Sequence, residues 1–315
     1  MKKKFDCIDT SGVKTYSIKD RKSKVSVDDL GSPAGEGVSF EAFFDSLPNI
    51  LAASDLKAVA SAIVESHRAD NLVALGMGAH VIKVGLTPLI IDFMERGIIN
   101  AVAMNGACIV HDFEMAFCGQ TSEDVAAELE GGTFGMAEET GRLLNEAIKE
   151  GVEKGHGIGL AVGEMILREK LPHADKSILA AGARLNVPVT VHVAIGTDII
   201  HMHPYADGAA LGEGSLRDFR TFSSVVSELD GGVYLNVGSA VLMPEIFLKA
   251  LTLVRNLGHE VKRFSTVNMD FIQHYRPTVN VVRRPTQDGG KGYALTGHHE
   301  IMVPLLFGMI REMMK

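Results

Sequence analysis

The sequence predicts an α/β protein with a doubly wound, mostly parallel sheet. Short apolar runs alternate with amphipathic segments, several of the runs end in glycine, and hydrophobic residues make up 46% of the 315 residues. A short apolar run is typical of a strand that is buried on both faces, and the alternation favours right-handed crossovers. No linker-like segment divides the middle of the chain. We therefore predict an N-terminal arm over residues 1–36 and a single α/β domain over residues 37–315.

The predicted elements follow one another in a regular order. Apolar residues at helical spacing over 40–67 predict two helices, which Pro48 separates because proline removes a backbone hydrogen bond and tends to break a helix. Segment 159–162 is consistent with a strand or with the start of a helix. Strands are predicted at 71–76, 101–104, 187–193, 233–238 and 261–267, and further helices at 86–96, 136–153, 177–185, 215–229, 245–257 and 303–314.

The composition excludes several classes of protein. The net charge of −8 disfavours binding to nucleic acid or to acidic membranes. No apolar run approaches the roughly 20 residues of a membrane helix, and the basic residues 2–4 are not followed by the apolar stretch of a signal peptide. The three cysteines have no CxxC spacing, which is typical of a reducing compartment. We expect a cytoplasmic protein that binds neither nucleic acid nor membranes.

Glycine and polar residues cluster where four predicted strands end. Ligands of an open parallel sheet bind outside the carboxyl ends of its strands, where glycine lets them approach the backbone and helix N-termini favour phosphate. The four segments therefore predict a nucleotide or dinucleotide crevice, although the GxGxxG fingerprint is absent. These segments are 76–80, 105–107, 196–198 and 236–239.

Histidines and carboxylates form a second polar feature. His201 and His203 are two residues apart and would share one face of a strand, as metal ligands can. Histidines that form hydrogen bonds in a polar cleft are the alternative. A metal site would draw its ligands from His201, His203 and Asp198, with His111 or Asp112 in addition.

Four segments, in order, resemble the deoxyhypusine synthases. The first is 76–114, where a glycine turn precedes a helix and Asn105-Gly106 precedes His111-Asp112, as in the family's Gly-Gly-x-x-x-His-Asp stretch. Segment 177–189 resembles the helix and strand before the family's Thr-Asp-Gly, and Thr197-Asp198 matches its Thr-Asp. Segment 303–306 matches the closing Phe-Pro-Leu-Leu. The resemblance spans residues 40–312.

The resemblance implies a deoxyhypusine synthase-like NAD-binding fold and a homotetramer with NAD at its subunit interfaces. The family oxidises spermidine, and a lysine takes the aminobutyl group as an imine before passing it to a protein lysine. The implied partner is thus a small-molecule amine. The residues implied to bind NAD are Gly78, Ala79, His80, Lys83, Asn105, Gly106, His111, Asp198, Gly238, Ser239, Met269, Asp270 and His298.

The segment that carries the family's catalytic lysine is different in this chain. Residues 280–292 lack the family's Trp-Gly-Lys, and Met243-Pro244 replaces its paired histidines. Lys291 is the candidate for imine formation, because arginine stays protonated and cannot act as the nucleophile. The family's second substrate carboxylate falls near His203. We predict Lys291, His203 and His299 as catalytic residues, with His201, His203 or His299 as the general base.

Three functional hypotheses follow from these features. The first is an NAD-dependent enzyme that acts on a polyamine or a related small amine, without a requirement for aminobutyl transfer to a protein lysine. The second is a metal-assisted hydrolase or lyase that uses the same cleft. The third is a non-catalytic nucleotide-binding homologue, which the loss of Trp-Gly-Lys motivates.

Overall fold

One parallel sheet organises the fold. The computed structural model describes residues 4–315. Its strands lie in the order β3-β2-β1-β4-β5-β6, and every neighbouring pair is parallel. The doubly wound, mostly parallel sheet predicted from the sequence is therefore confirmed. The strands are β1 (Val73–Met77), β2 (Ala101–Asn105), β3 (Val189–His192), β4 (Val233–Val237), β5 (Ser265–Asp270) and β6 (Lys291–Thr296).

Helices connect the strands and cover both faces of the sheet. Before β3 lie α1 (Phe40–Ser46), α2 (Leu51–Arg68), α3 (His80–Lys83), α4 (Thr87–Glu95), α5 (Gly106–Cys118), α6 (Val125–Gly131), α7 (Glu138–Glu153), α8 (Ile158–Arg168) and α9 (Ile178–Leu185). After β3 lie α10 (Gly208–Ser227), α11 (Leu242–Asn256), α12 (Tyr275–Pro277), a π-helix (Thr278–Arg283) and α13 (His299–Met313). Short 3-10 helices occupy Ile18–Asp20, Val27–Asp29, Ala174–Lys176 and Ile199–Met202.

The two faces of the sheet carry different side chains. Alternate residues of β1 and β4, such as Leu75 and Leu235, point into a large core shared with α2, α5, α8 and α13. Residues between them, such as Ala74 and Tyr234, face α10 and α11. On that side Tyr234 stacks on Phe247 with ring centroids 3.9 Å apart. Gly76 makes room for this ring, because a Cβ there would lie 2.1 Å from the tyrosine oxygen.

Several elements differ from those predicted; among them, α10 begins at residue 208 rather than 215 and α13 at residue 299 rather than 303. Helix α5 was not predicted; it begins where the Asn105 side chain accepts a hydrogen bond from the Cys108 N–H. Strand β6 was not predicted either, because its start lies among the glycines of residues 289–292. The strand predicted at 261–267 begins only at residue 265. Of the two alternatives for residues 159–162, the helix is right, since they lie in α8.

The segment predicted as an N-terminal arm is exposed in almost all of its described residues. From residue 4 to residue 38 only Asp29 is partly buried. Three of its apolar side chains, Phe5, Ile8 and Tyr16, are between 71% and 88% exposed. Residues 1–3 of the predicted arm lie outside the described residues. Between residues 4 and 315, no helix has both the length and the apolar character needed to span a bilayer.

Candidate functional site

The centre of the candidate site lies where the winding of the sheet reverses, between β1 and β4. Here the Gly78 N–H donates to the Val237 carbonyl at 3.0 Å. A Cβ on Gly78 would lie 2.2 Å from the Gly238 oxygen, and Gly238 itself has φ +66°. Glycine is therefore required on both sides of this contact. A crevice at such a switch point is the usual ligand site of an open α/β sheet.

A buried carboxylate lies beside this centre, at the start of α5. Asp198 comes from the loop after β3, and a Cβ on Gly106 would lie 2.0 Å from its Oδ2 atom. The positive end of the helix dipole favours a carboxylate at this position. Burial nevertheless raises the pKa of Asp198 to about 6. Among the residues that the structure describes, none forms a hydrogen bond with its Oδ2 atom.

His201 faces Asp198 from the following 3-10 helix. Its Nδ1 atom accepts hydrogen bonds from the backbone N–H groups of Gly196 at 3.1 Å and Asp198 at 3.3 Å. The neutral ring must then carry its proton on Nε2. Nε2 lies 4.0 Å from Asp198 Oδ2 and has no hydrogen-bond partner within residues 4–315. Burial lowers the pKa of His201, so the ring is neutral near pH 7. This geometry makes His201 a donor rather than the general base that the sequence allowed.

The opposite side of the crevice contains His299, the first residue of α13. The ring is fully buried and lies against Gly238, with Nε2 3.3 Å from the Met269 carbonyl and 3.7 Å from Asp270 Oδ1. Burial lowers the pKa of His299, and the charge of Asp270 opposes that effect. Because Nε2 is placed to donate, Nδ1 carries the lone pair, and it has no partner. His299 thus carries its lone pair on Nδ1, which lies in the protein interior without a hydrogen-bond partner among the described residues.

Aromatic rings line the side of the crevice that contains His299. Phe271 stacks on His298 with ring centroids 6.1 Å apart and an interplanar angle of 11°. His80 lies 6.1 Å from Phe271 and 5.4 Å from His299. Sequence reasoning missed Phe271, because it matches no motif. The one available signal was its place directly after Asp270, at the end of a strand.

Two predicted catalytic residues are not brought to this group. Lys291 is the first residue of β6 and pairs with Ser265 at the amino edge of the sheet. The rise of a strand puts it roughly 16 Å from the carboxyl edge. His203 is buried against Gly141 of α7, with Nε2 2.8 Å from the Gly135 carbonyl. The His203 ring is therefore packed in the protein interior and held there by a backbone carbonyl.

The remaining residues predicted to bind NAD lie either at the switch point or beside it. Asn105 uses its side-chain oxygen to cap α5, so that oxygen is already bonded. Ser239 similarly accepts from the Met243 N–H. On the flank, His111 Nδ1 lies 2.7 Å from the Thr121 hydroxyl, and burial together with the charge of Lys83 lowers the pKa of His111 to about 4. Ala79, Met269 and Asp270 follow or end strands at the same edge.

The structure gives no support to a metal site. Within residues 4–315, no group of three His, Cys, Asp or Glu side chains could hold a metal ion. The expectation that His201 and His203 share a face was based on a strand. His201 lies instead in a 3-10 helix, where two residues differ by about two thirds of a turn. Asp112, another proposed ligand, accepts N–H groups at the start of α9.

The strand order and the switch-point crevice define a doubly wound α/β fold of the kind that binds dinucleotides. Comparison with solved structures identifies proteins that share this fold. A protein assigned as a deoxyhypusine synthase from Entamoeba histolytica matches with a TM-score of 0.54 at 13% identity, over 90% of this chain and 97% of that one. AgrE in complex with ornithine and NAD+ matches with a TM-score of 0.52 at 15% identity, over 82% of this chain and 33% of AgrE.

ArgZ, an arginine dihydrolase of the ornithine–ammonia cycle in cyanobacteria, gives a TM-score of 0.51 at 15% identity, over 82% of this chain and 31% of ArgZ. This chain thus spans about a third of the length of AgrE and ArgZ. No protein-family model and no curated protein matches the sequence. At these identities the similarity is one of fold. The chain has the deoxyhypusine synthase-like fold, and the resemblance in its sequence is confirmed at that level.

Proposed function

We propose that this protein is an NAD-dependent enzyme that oxidises a small amine in the crevice between β1 and β4. The observation that carries the proposal is the contact between Gly78 and Gly238 at the switch point, with unpartnered buried polar atoms on both sides. Asp198 Oδ2 and His299 Nδ1 are acceptors, and His201 Nε2 is a donor. A dinucleotide has hydroxyl, amide and phosphate groups that need both kinds of partner. The occurrence of NAD+ in the AgrE complex, which has the same fold, supports this assignment.

The residues around the switch point are suited to hold NAD. Gly78, Gly238 and Ser239 bring backbone close to the crevice, as a pyrophosphate requires. Helix α13, which is 15 residues long, starts at this edge without a side-chain cap, so its first N–H groups can bind an anion. NAD, when bound, accepts a hydride from a substrate carbon.

The protein's own groups would orient the amine and move its proton. Asp270 places a carboxylate beside Phe271, whose ring lies against His298 and His80, and the face of a phenylalanine ring attracts cations. His299 Nδ1 would take the proton that the ammonium releases before oxidation, because burial keeps this ring neutral near pH 7. The test is a titration with NADH followed by fluorescence, then an assay of NADH formation from NAD+ with putrescine, spermidine and ornithine. Absence of NADH binding would remove the proposal.

Lys291 is not expected to form an imine with the substrate. Lys291→Ala should leave NADH affinity and amine oxidation within about twofold of the unchanged protein, since exposed substitutions far from a site have small effects. Lys83→Ala is the matched control, because Lys83 lies at the carboxyl edge near His111 and should weaken NADH binding. A tenfold loss in Lys291→Ala would show instead that Lys291 of a second copy reaches the crevice.

We also propose that copies of this chain cover the rim of the crevice in a homotetramer. Large apolar side chains follow the carboxyl ends of four strands and are between 48% and 73% exposed. Exposed apolar patches of this kind mark association surfaces. These rim residues are Ile195, Val241, Phe271, Ile272, Tyr275 and Ile301.

A charge at the rim should therefore reduce the size of the assembly. Tyr275→Arg is expected to lower the mass measured by light scattering, because an unpaired charge would be buried at the interface. Leu257→Arg is the control, since Leu257 is 67% exposed but follows α11 at the other edge of the sheet. An unchanged mass for Tyr275→Arg would contradict association through the rim.

A further inference from the structure

The two edges of the sheet differ in how their outward backbone groups are bonded. At the β3 edge, the Val191 N–H donates to Asp218 Oδ2 at 2.8 Å. The next outward donor, the Val193 N–H, donates to Ser215 Oγ at 3.1 Å. Side chains of α10 therefore close this edge, which is one of the ways in which folded proteins protect an unpaired strand.

Strand β6 has no such cover at the other edge. The Lys291 N–H donates to the Phe264 carbonyl at 3.0 Å, so the odd-numbered residues of β6 bond to β5. Because successive residues of a strand direct their backbone groups to opposite sides, Gly292, Ala294 and Thr296 direct theirs outward. All three are exposed, and within residues 4–315 no group bonds to their backbone. Their donors and acceptors are open to another strand.

Segment 292–296 also lacks the features that usually protect an exposed edge. It contains neither a charge nor a proline, and its pairing with β5 is continuous and has no bulge. A groove of about 520 Å³ lies between α2 and the amino end of β6, and α2 lines it with Ala58, Ser61 and Ala62. An approaching strand therefore meets small side chains on that face of the sheet.

We propose that β6 pairs with β6 of a second copy of this chain, antiparallel and centred on Ala294, so that two sheets become one. In this register Ala294 bonds to Ala294 of the second copy, and Gly292 bonds to Thr296. The pairing makes about six backbone hydrogen bonds, because every outward N–H and carbonyl finds a partner. Any other antiparallel register leaves some of these groups unpaired.

The charges at the ends of β6 favour a second copy as the partner and the antiparallel orientation. Lys291 is exposed at the start of the strand, and Glu300 is exposed just beyond its end, in the first turn of α13. Antiparallel pairing sets Lys291 opposite Gly297 of the second copy, close to the Glu300 of that copy. Parallel pairing would instead bring two lysines together, which destabilises a sheet. The strand is thus complementary to itself in charge and in hydrogen bonding.

The β6 edge is separate from the rim of the crevice, and the inference does not depend on NAD binding. A twofold contact through β6 and a twofold contact through the rim are two different isologous interfaces. A tetramer with dihedral symmetry is built from such interfaces. If the rim does not associate, the β6 contact alone gives a dimer.

The test places charges at the centre of the proposed pair. Ala294→Lys sets two like charges on Cα atoms about 5.5 Å apart, so it should halve the mass measured by light scattering. Ala294→Glu should do the same. A mixture of the two variants should recover the full mass, because a lysine of one copy then faces a glutamate of the other. Ala294→Thr is the matched control and should keep the full mass, since threonine is uncharged and suits a strand.

Three results would overturn the proposal. The first is a monomeric unchanged protein, and the second is a folded Ala294→Lys variant that keeps the full mass. The third is a mixture of the lysine and glutamate variants that does not reassociate, because opposite charges relieve the repulsion only where position 294 faces itself across a twofold axis.

A measurement on the unchanged protein covers the case in which the variants do not fold. Amide hydrogen exchange followed by NMR should show the outward N–H groups of Gly292, Ala294 and Thr296 protected in the associated protein. The N–H of Tyr293, which faces β5, is the internal reference and should be protected to within about tenfold of them. Fast exchange of the three outward amides beside a protected Tyr293 would show an open edge and overturn the proposal.

Discussion

Replacing Asp218 with alanine is expected to lower the free energy of unfolding by about 3 kcal/mol or more, because it leaves buried N–H groups without acceptors. Asp218 lies in α10, and its Oδ2 atom accepts from the Gly159 N–H at 3.0 Å and the Val191 N–H at 2.8 Å. Strand β3 is at the edge of the sheet, so Val191 has no neighbouring strand on that side. The Asp218 carboxylate thus supplies the hydrogen-bond acceptor for an N–H group of the edge strand and for one at the start of α8. Chemical denaturation measures the effect.

A second aspartate, which caps the start of the same helix, provides the control for this variant. Asp207 is the N-cap of α10, and its Oδ1 atom accepts from the Ala209 and Ala210 N–H groups at an exposed position. Asp207→Ala should cost only about 1 kcal/mol, as is usual for the loss of an N-cap. Equal losses in the two variants would contradict the role given to Asp218.

The pH dependence of stability gives a further check on Asp218. Burial raises the pKa of Asp218 to about 7, whereas in the unfolded chain it is about 4. The folded protein therefore holds this proton more tightly, and the stabilisation from protonation is complete below about pH 4 and lost as the pH rises through 7. Asp112 and Asp198 shift in the same direction. Asp218→Asn isolates the effect of one residue: the advantage of the unchanged protein over this variant should grow as the pH falls from 7 to 4.

Gly78→Ala is expected to weaken NADH binding at least tenfold and to destabilise the protein by about 1–3 kcal/mol, because the new methyl group overpacks the switch point. The Cβ would lie 2.2 Å from the Gly238 oxygen and 3.0 Å from its carbonyl carbon. Both are backbone atoms, so no side chain can move aside. The loops after β1 and β4 must separate, and the hydrogen bond from Gly78 to Val237 is lost with them.

Gly212→Ala is the control for this steric argument. Gly212 lies inside α10, and a Cβ there meets no atom within 4 Å. Alanine should raise stability by about 0.5–1 kcal/mol, because it restricts the unfolded chain. NADH affinity should not change. If Gly78→Ala binds NADH as the unchanged protein does, the cofactor does not lie at the contact between Gly78 and Gly238.

The sequence predicts the sheet well because local patterns carry that information. Each apolar run ends at a glycine or asparagine, and the parallel arrangement places all such ends at one edge. For this reason Asn105, Asp198 and Gly238 are brought near the switch point as expected. Lys291 could not be placed in this way. Its position depends on β6 pairing with β5, and the glycines around it indicate a loop rather than an edge strand.

The roles of the histidines are even less accessible to sequence reasoning. His201, His203 and His299 are equal candidates in the sequence, yet in the structure the atoms without a partner are Nε2 of His201 and Nδ1 of His299, whereas Nε2 of His203 contacts a backbone carbonyl. The difference arises from contacts such as that of His203 with Gly135, which is 68 residues away along the chain. The identity of a residue gives its possible chemistry, whereas backbone carbonyls and N–H groups at distant positions determine which atom can act.

The central place of β1 in the sheet also has a consequence for biosynthesis. On one side β1 pairs with β2, the next strand to leave the ribosome, but on the other side it pairs with β4, more than a hundred residues later. A nascent chain that has produced only β1, β2 and β3 therefore exposes the edge of β1 that pairs with β4 in the finished sheet. Such edges recruit other chains, so we infer that prolonged pausing before β4 favours aggregation and chaperone capture.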